Sequence, residues 1–396
     1  MTTGSTRVVP GTKFFISGWP ERLVRSSPLW SRSLCSQDTK GGEDVRIGDY
    51  LEAAGRFIAL DGYAALLRGV AFETDRRVSI SQVERVDLFL EKHGAFYHPV
   101  RVVAHFWEGE PPVTLALNGA VTEPGLALSG RESGLLEQLH QKMAAQSIPR
   151  MFGQGQISSA GKKMAFFLAQ WFDGYREFHL TGDGDRMVIW DGKGGEIFPD
   201  APDYYVIYGK AVEILTRLYD PVSFAQVHPW HHAAGDFVVR PGDLDVKLVT
   251  VRGYAPLFAP DTNDASPELE DVCQGLVLFF LNISLRMRLD RIDGTGEYHM
   301  VKTDVMDHLV EGFFNGLAHR MLPSHPRADL LGEIAKSILE WSSGDVAEAL
   351  GFMLDSCSSA ALEIFCLRNA VAEHAHAFLK SVEKVVKKSF FIDKVS

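Results

Sequence analysis

The 396-residue sequence has only four cysteines, Cys35, Cys273, Cys357 and Cys366, and none forms a Cys-x-x-Cys pair or an evenly spaced framework. That scarcity argues against a disulfide scaffold and for free thiols in a reducing, cytoplasmic setting. Cys357 and Cys366 stand nine apart in a predicted helix, on about opposite sides of its axis, so they do not invite a bridge. Positive charge is also short. Lys plus Arg is 40 against 51 for Asp plus Glu, and the net charge of −11 gives no general electrostatic reason to bind a phosphate backbone. Long apolar runs are missing too. The most apolar segment, Gly275 to Leu285, contains Asn282 and falls short of the roughly 20 residues a membrane span needs, so it reads as a core helix. Intact signatures are absent: there is no GxxxxGK[ST] loop, no dinucleotide glycine pattern, no GxSxG elbow and no HExxH pair.

What is present is an ordinary folded composition, 46% hydrophobic and 11% aromatic. The length suits two or three domains or one bilobal unit. Met1 to Gln37 breaks from the acidic remainder, with Arg7, Lys13, Arg22, Arg25 and Arg32 against a single Glu21. It has no sustained amphipathic period and no apolar core of a secretion signal. A transit-type leader is the alternative to a flexible basic extension over residues 1–45, which is the reading adopted.

Further along, the apolar pattern of Ile47 to Val70 predicts one or two short helices interrupted near Asp61-Gly62. Ser79 or Ser81 is expected to cap a helix to Lys92, on the spacing of Val83, Val86 and Leu90. Val100 to Trp107 and Val113 to Val121 read as a hairpin, and Ser129 to Gln146 as a helix. Met151 to Gln156 and Lys163 to Phe172 read as strands, the second central and apolar. Asp173-Gly174 is a turn or hinge signal. A small inserted hairpin, a helix over 203–219 and two short strands follow. From Pro267 onward four or five helices are predicted. Phe166, Phe167, Trp171, Phe172, Tyr175 and Phe178 read as core aromatics.

This order resembles the two-lobed protein-kinase-like fold, in particular its aminoglycoside and small-molecule phosphotransferase branch. The resemblance covers about Val100 to Phe258. It implies an α+β, bilobal kinase-like fold, with an antiparallel sheet in a mixed N-terminal lobe (46–173) and a helix-rich C-terminal lobe (174–396). In that family a third-strand lysine neutralises nucleotide phosphates and a Glu on the next helix orients it. Here the strand is VTLALNGAV with Asn118 at the lysine position, and Glu132 or Glu137 is the helix acid, left without its lysine partner. The segment PWHHAAGDFVV has the shape of the catalytic loop, with His231 at the catalytic Asp position and Asp236 at the metal-binding Asn position. Thr250, in VKLVTV, takes the place of the second metal-binding Asp.

The resemblance therefore implies a phosphotransferase-related protein whose site is rebuilt around His231 and Asp236 or inactive. Its cofactor is left open, with Mg²⁺ held by Asp236 as the implied metal. A small-molecule ligand is the expected partner; oligomeric state is left open. Two other readings come from the residues themselves. His228, His232 and Asp236 form the densest set of metal-ligand types and suggest a metal-dependent enzyme. Alternatively, the helical region serves as a non-catalytic interaction module. In the segment RMRLDRIDGTGEYH, Arg291, Asp293 and Glu297 are candidates for a ligand pocket lip. The plainer reading pairs Arg286 with Asp290 at i,i+4.

Overall fold

Val-, Leu- and Phe-rich runs between residues 83 and 170 alternate faces and build a sheet, whereas the later chain is dominated by helical apolar periods. The computed structural model describes residues 9–34, 45–91, 94, 96–143, 146–190, 196–198, 203–231, 235–257, 267–319, 327–356 and 362–392. It is an α+β protein whose contacts divide into two compact units, 1–173 and 174–396.

The first unit contains β1 (Gly11–Ile16), α1 (Ile47–Ile58), α2 (Leu60–Thr74), β2 (Val83–Leu90), β3 (Val100–Phe106), β4 (Val113–Ala120), α3 (Glu123–Met143), β5 (Met151–Ser159) and β6 (Lys162–Gln170). Its six strands lie in the order β1-β2-β3-β4-β6-β5, all antiparallel except the β1–β2 pair. The sheet is thus mixed, and β1 is the reason. Residues set apart above as a flexible extension supply this edge strand, and Leu23 and Leu34 are buried in the same core. The expectation of an extension through residue 45 is corrected on that point for residues 9–34.

Helices cover both sheet faces. On one, Tyr50 and Phe57 of α1 pack against Phe166 of β6. On the other, Ser133 of α3 donates to the Gln154 side chain of β5, which stands opposite Phe167 of β6. Phe167 is in turn the cross-strand partner of Asn118 on β4. Asn118, Phe167 and Gln154 therefore share the face that α3 covers.

A second correction concerns residues 79–92. Ser79 does make a capping box with Gln82, but it caps a single 3-10 turn, and the chain then enters β2. The ladder slips by one residue between Val83 and Arg85, which puts buried Val83 and Val86 three apart; Leu88 and Leu90 then keep the period of two. A bulge thereby imitates a helical spacing.

The second unit begins with a three-stranded antiparallel sheet, β7 (Glu177–Thr181), β8 (Arg186–Trp190) and β9 (Glu196–Phe198). Next come α4 (Tyr205–Leu218), β10 (Ala225–Val227), β11 (Phe237–Arg240), β12 (Asp245–Leu248) and β13 (Tyr254–Pro256), where β11 pairs β12 and β10 pairs β13. The remainder is α5 (Leu269–Met287), β14 (Leu289–Arg291), β15 (Tyr298–Met300), α6 (Met306–Ala318), α7 (Arg327–Leu339), α8 (Ser343–Asp355) and α9 (Leu362–Ile392). Its core is aromatic: Phe280 of α5 stacks on Phe313 of α6 with centroids 3.8 Å apart, and Phe378 of α9 closes on Phe280 at 4.9 Å. Helices α4 and α6 cross so closely that a methyl group on Gly209 or Gly312 would overlap the other helix's backbone. Among the described residues no helix is long and apolar enough to cross a membrane.

Candidate functional site

The loop between β10 and β11 carries most of the predicted site residues. Its end is shaped by Gly235, whose φ of +74° is a left-handed conformation that suits glycine. The turn brings Asp236 back onto the start of the loop: the Asp236 amide donates to the His231 carbonyl (3.2 Å), and the His231 amide donates to Asp236 Oδ2 (2.9 Å). Trp230, buried beside them, packs edge-on against Phe237 of β11 and anchors the loop to the strand.

Asp236 is 3% exposed, and its carboxylate meets a cation that sequence reasoning had passed over. Arg252 Nη2 donates to Oδ1 at 2.9 Å and to Oδ2 at 3.0 Å, while Arg252 Nη1 donates to the Thr250 hydroxyl at 3.2 Å. Asp236 and Thr250, the two metal positions implied by the resemblance, are thus joined by a guanidinium. The signal available in the sequence was the spacing Thr250-x-Arg252, directly after an apolar strand.

His231 reaches this network only through its backbone. Its imidazole is 41% exposed and turns toward Glu363 of α9, with Nε2 4.0 Å from Oε2. A small pocket there is lined by His228, Trp230, His231, Arg286, Leu289 and Glu363. Arg286 Nη1 donates to Glu363 at 2.9 Å. Burial, reinforced by the charges of Arg286 and His231, pushes His228 down to about 4, so its ring is neutral at pH 7. Its Nε2 is buried without a hydrogen-bond partner among the described residues.

His232 lies outside the described residues, and among those described no group of three or more His, Cys, Asp or Glu side chains is placed to hold a metal ion. The Asp236–Thr250 pair does not fit Mg²⁺ either, because the carboxylate is already neutralised on both oxygens by a resident cation.

The loop after α5 is built differently from its sequence reading. Helix α5 ends at Met287, which puts Asp290 on β14 and abolishes the i,i+4 pairing with Arg286. Asp290, 1% exposed, instead accepts from the amides of Leu180 (3.0 Å) and Arg291 (2.7 Å) and ties β14 to β7. Burial pushes its carboxyl up to about 6, against the opposing pull of those two amides and of His179 and His299. Arg291 gives its guanidinium to the carbonyls of Thr295 (2.7 Å) and Gly296 (3.0 Å), so it closes its own loop. Asp293 and Glu297 are exposed.

In the first unit, Asn118 sits on the third strand of the β2–β3–β4 meander and α3 follows directly. Glu132 is 1% exposed, whereas Glu137 is a solvated helix residue. Glu132 has a donor that was not foreseen: the Tyr97 hydroxyl, at 2.8 Å.

No protein-family profile matches the chain, and no curated protein matches it.

Proposed function

We propose that the protein is a relative of the kinase-like small-molecule phosphotransferases whose centre has been converted from a metal-nucleotide site into a self-contained ion-pair network, leaving a binding protein without phosphoryl-transfer activity. The single observation that carries this reading is Arg252, seated between Asp236 and Thr250. A divalent cation entering there would have to displace a bidentate guanidinium and would be repelled by it at short range. The element order supports the relationship: a three-stranded meander, a helix and a two-stranded hairpin precede Asp173-Gly174, and a helix and the short β11–β12 ribbon follow. Asn118, at the lysine position, adds no phosphate-neutralising charge.

The metal-dependent alternative draws less support, since Asp236 is committed to Arg252 while His228 lines the pocket with Arg286 and Glu363.

Calorimetric titration of the full chain with ATP, with and without Mg²⁺, tests the proposal. The expected result is no Mg²⁺-dependent affinity and no phosphate release. Low-micromolar binding that requires Mg²⁺ and is lost in Asp236→Asn would overturn it.

A further inference from the structure

The acid of α3 is buried, and a buried carboxylate persists only where donors meet it. One of its donors comes from the segment that links β2 to β3. That segment is closed at its base by the Glu91 amide on the Pro99 carbonyl (2.9 Å) and tightened by the Gly94 amide on the Tyr97 carbonyl (2.9 Å). The His98 amide then donates to the Gly119 carbonyl of β4 at 2.8 Å, which fixes the segment against the strand that carries Asn118.

From this base Tyr97 reaches in between sheet and helix. Its ring meets Phe167 edge-on, centroids 5.6 Å apart, and Phe167 is the cross-strand partner of Asn118. Its hydroxyl donates to Glu132 Oε2 at 2.8 Å. The backbone beside it approaches the first turns of α3, where a methyl group on Gly125 would come within 2.8 Å of the Phe96 carbonyl oxygen. Two contacts, on β6 and on the middle of α3, hold the Tyr97 side chain on the face that α3 covers, next to the cross-strand partner of Asn118, while the Phe96 backbone lies against the beginning of α3.

We infer that Tyr97 is a built-in occupant of this face, an autoinhibitory contact that closes the first unit to an anionic nucleotide. The inference rests on the kinase-like reading. The neutral phenol gives Glu132 a donor without the positive charge that a lysine on β4 would bring. The phenol itself brings no charge that would attract phosphate, and the ring takes up space between the strand and α3. A ligand has to release the Tyr97–Glu132 bond before it can enter. The loss of a hydrogen bond to a charged group of this kind weakens binding roughly tenfold to a hundredfold.

The test uses the full chain and ATP as the probe, titrated calorimetrically without Mg²⁺ so that the second unit's network is not involved. Asn118→Lys alone supplies the cation but leaves the occupant in place, and its affinity should remain weak. Asn118→Lys combined with Tyr97→Ala should bind at least tenfold more tightly than Asn118→Lys. Tyr97→Phe combined with Asn118→Lys removes a single oxygen and keeps the ring, so it should gain affinity in part while preserving the fold. In that variant, hydrogen exchange at the amides of residues 96–98 should accelerate. Equal affinity of Asn118→Lys with and without the Tyr97 substitutions, whether all bind or none does, overturns the inference. Tight Mg²⁺-dependent binding by the unsubstituted protein would instead overturn the reading beneath it, so the two failures are distinguishable.

Discussion

Asp236 can be buried because both carboxylate oxygens accept from Arg252 and one also accepts from the His231 amide. Asp236→Asn keeps the shape but loses the charge, leaving a guanidinium with 26% side-chain exposure half-paired. The expected cost is about 1–3 kcal/mol, read as a fall of roughly 2–4 °C in melting temperature per kcal/mol for a unit of this size. A variant that melts as the unsubstituted protein does would show that the network is not structural. Asp290 makes a separate prediction through pH. Its folded pKa of about 6 lies above the ordinary carboxylate value, so the folded state binds the extra proton and this group's contribution to stability is lost as pH rises through 6. Asn at this position does not titrate. The melting temperature of Asp290→Asn relative to the unsubstituted protein should therefore become less favourable by an equivalent of roughly 2–3 kcal/mol between about pH 8 and about pH 4. Buried His374 acts in the opposite sense. Burial and Arg288 hold it well below the ordinary imidazole range, so it stays neutral while the unfolded chain takes up a proton, and its contribution falls as pH drops below about 6.5. A parallel pH dependence of the two proteins would contradict the assignment at Asp290.

Among the elements, β1 shows how composition can mislead. Basic residues and scattered Ser, Gly and Pro give residues 9–34 the look of an extension, yet Phe14 and Phe15 pair in register with Leu88 and Phe89. Phe15 also stacks on Phe89, with centroids 4.6 Å apart. An edge strand needs apolar residues on one face only, and a parallel partner more than 60 residues away leaves no local hairpin signal. Deletion through residue 34 should accordingly destabilise the first unit. Leu34→Ala, at a position 1% exposed, should cost about 2–5 kcal/mol by itself in a denaturant titration. An unchanged midpoint after deletion would return this stretch to the status of an extension. The same logic governs β2, where one extra residue in the ladder imitates the i,i+3 step of a helix. Elements with an uninterrupted period, such as α5 and the β3–β4 hairpin, carried no such ambiguity.

At the scale of the whole molecule, each unit has a core of its own, the first around Tyr50, Phe57 and Phe166 and the second around Phe280, Phe313 and Phe378. Chains of 150–250 residues bury enough surface to fold alone. Residues 1–173 and 174–396 expressed separately are therefore expected to give two cooperative melting transitions by circular dichroism. A non-cooperative melt from either piece would show that its core is incomplete without the other. The hinge signal Asp173-Gly174 coincides with this division because a turn is where few contacts cross.

Local periodicity and turn chemistry determined most of the elements by themselves: the interrupted helix at Asp61-Gly62, the β3–β4 hairpin, the body of α3 (which begins at Glu123 and not at Ser129), β5 and β6, and the helical succession after residue 267. These depend on interactions within a few residues, which a linear reading can see. The partners of the buried charges were decided only in three dimensions. Arg252 is 16 residues from Asp236 and Tyr97 is 35 from Glu132, and the charge or polarity of each pair member says nothing about which distant group will meet it. Burial forces every such group to find a partner, but the choice among donors belongs to the packing of strands and helices. Sequence reading could therefore name Asp236, and Glu132 or Glu137, as groups needing an answer, while an arginine for Asp236 and a tyrosine for Glu132 came from the tertiary structure.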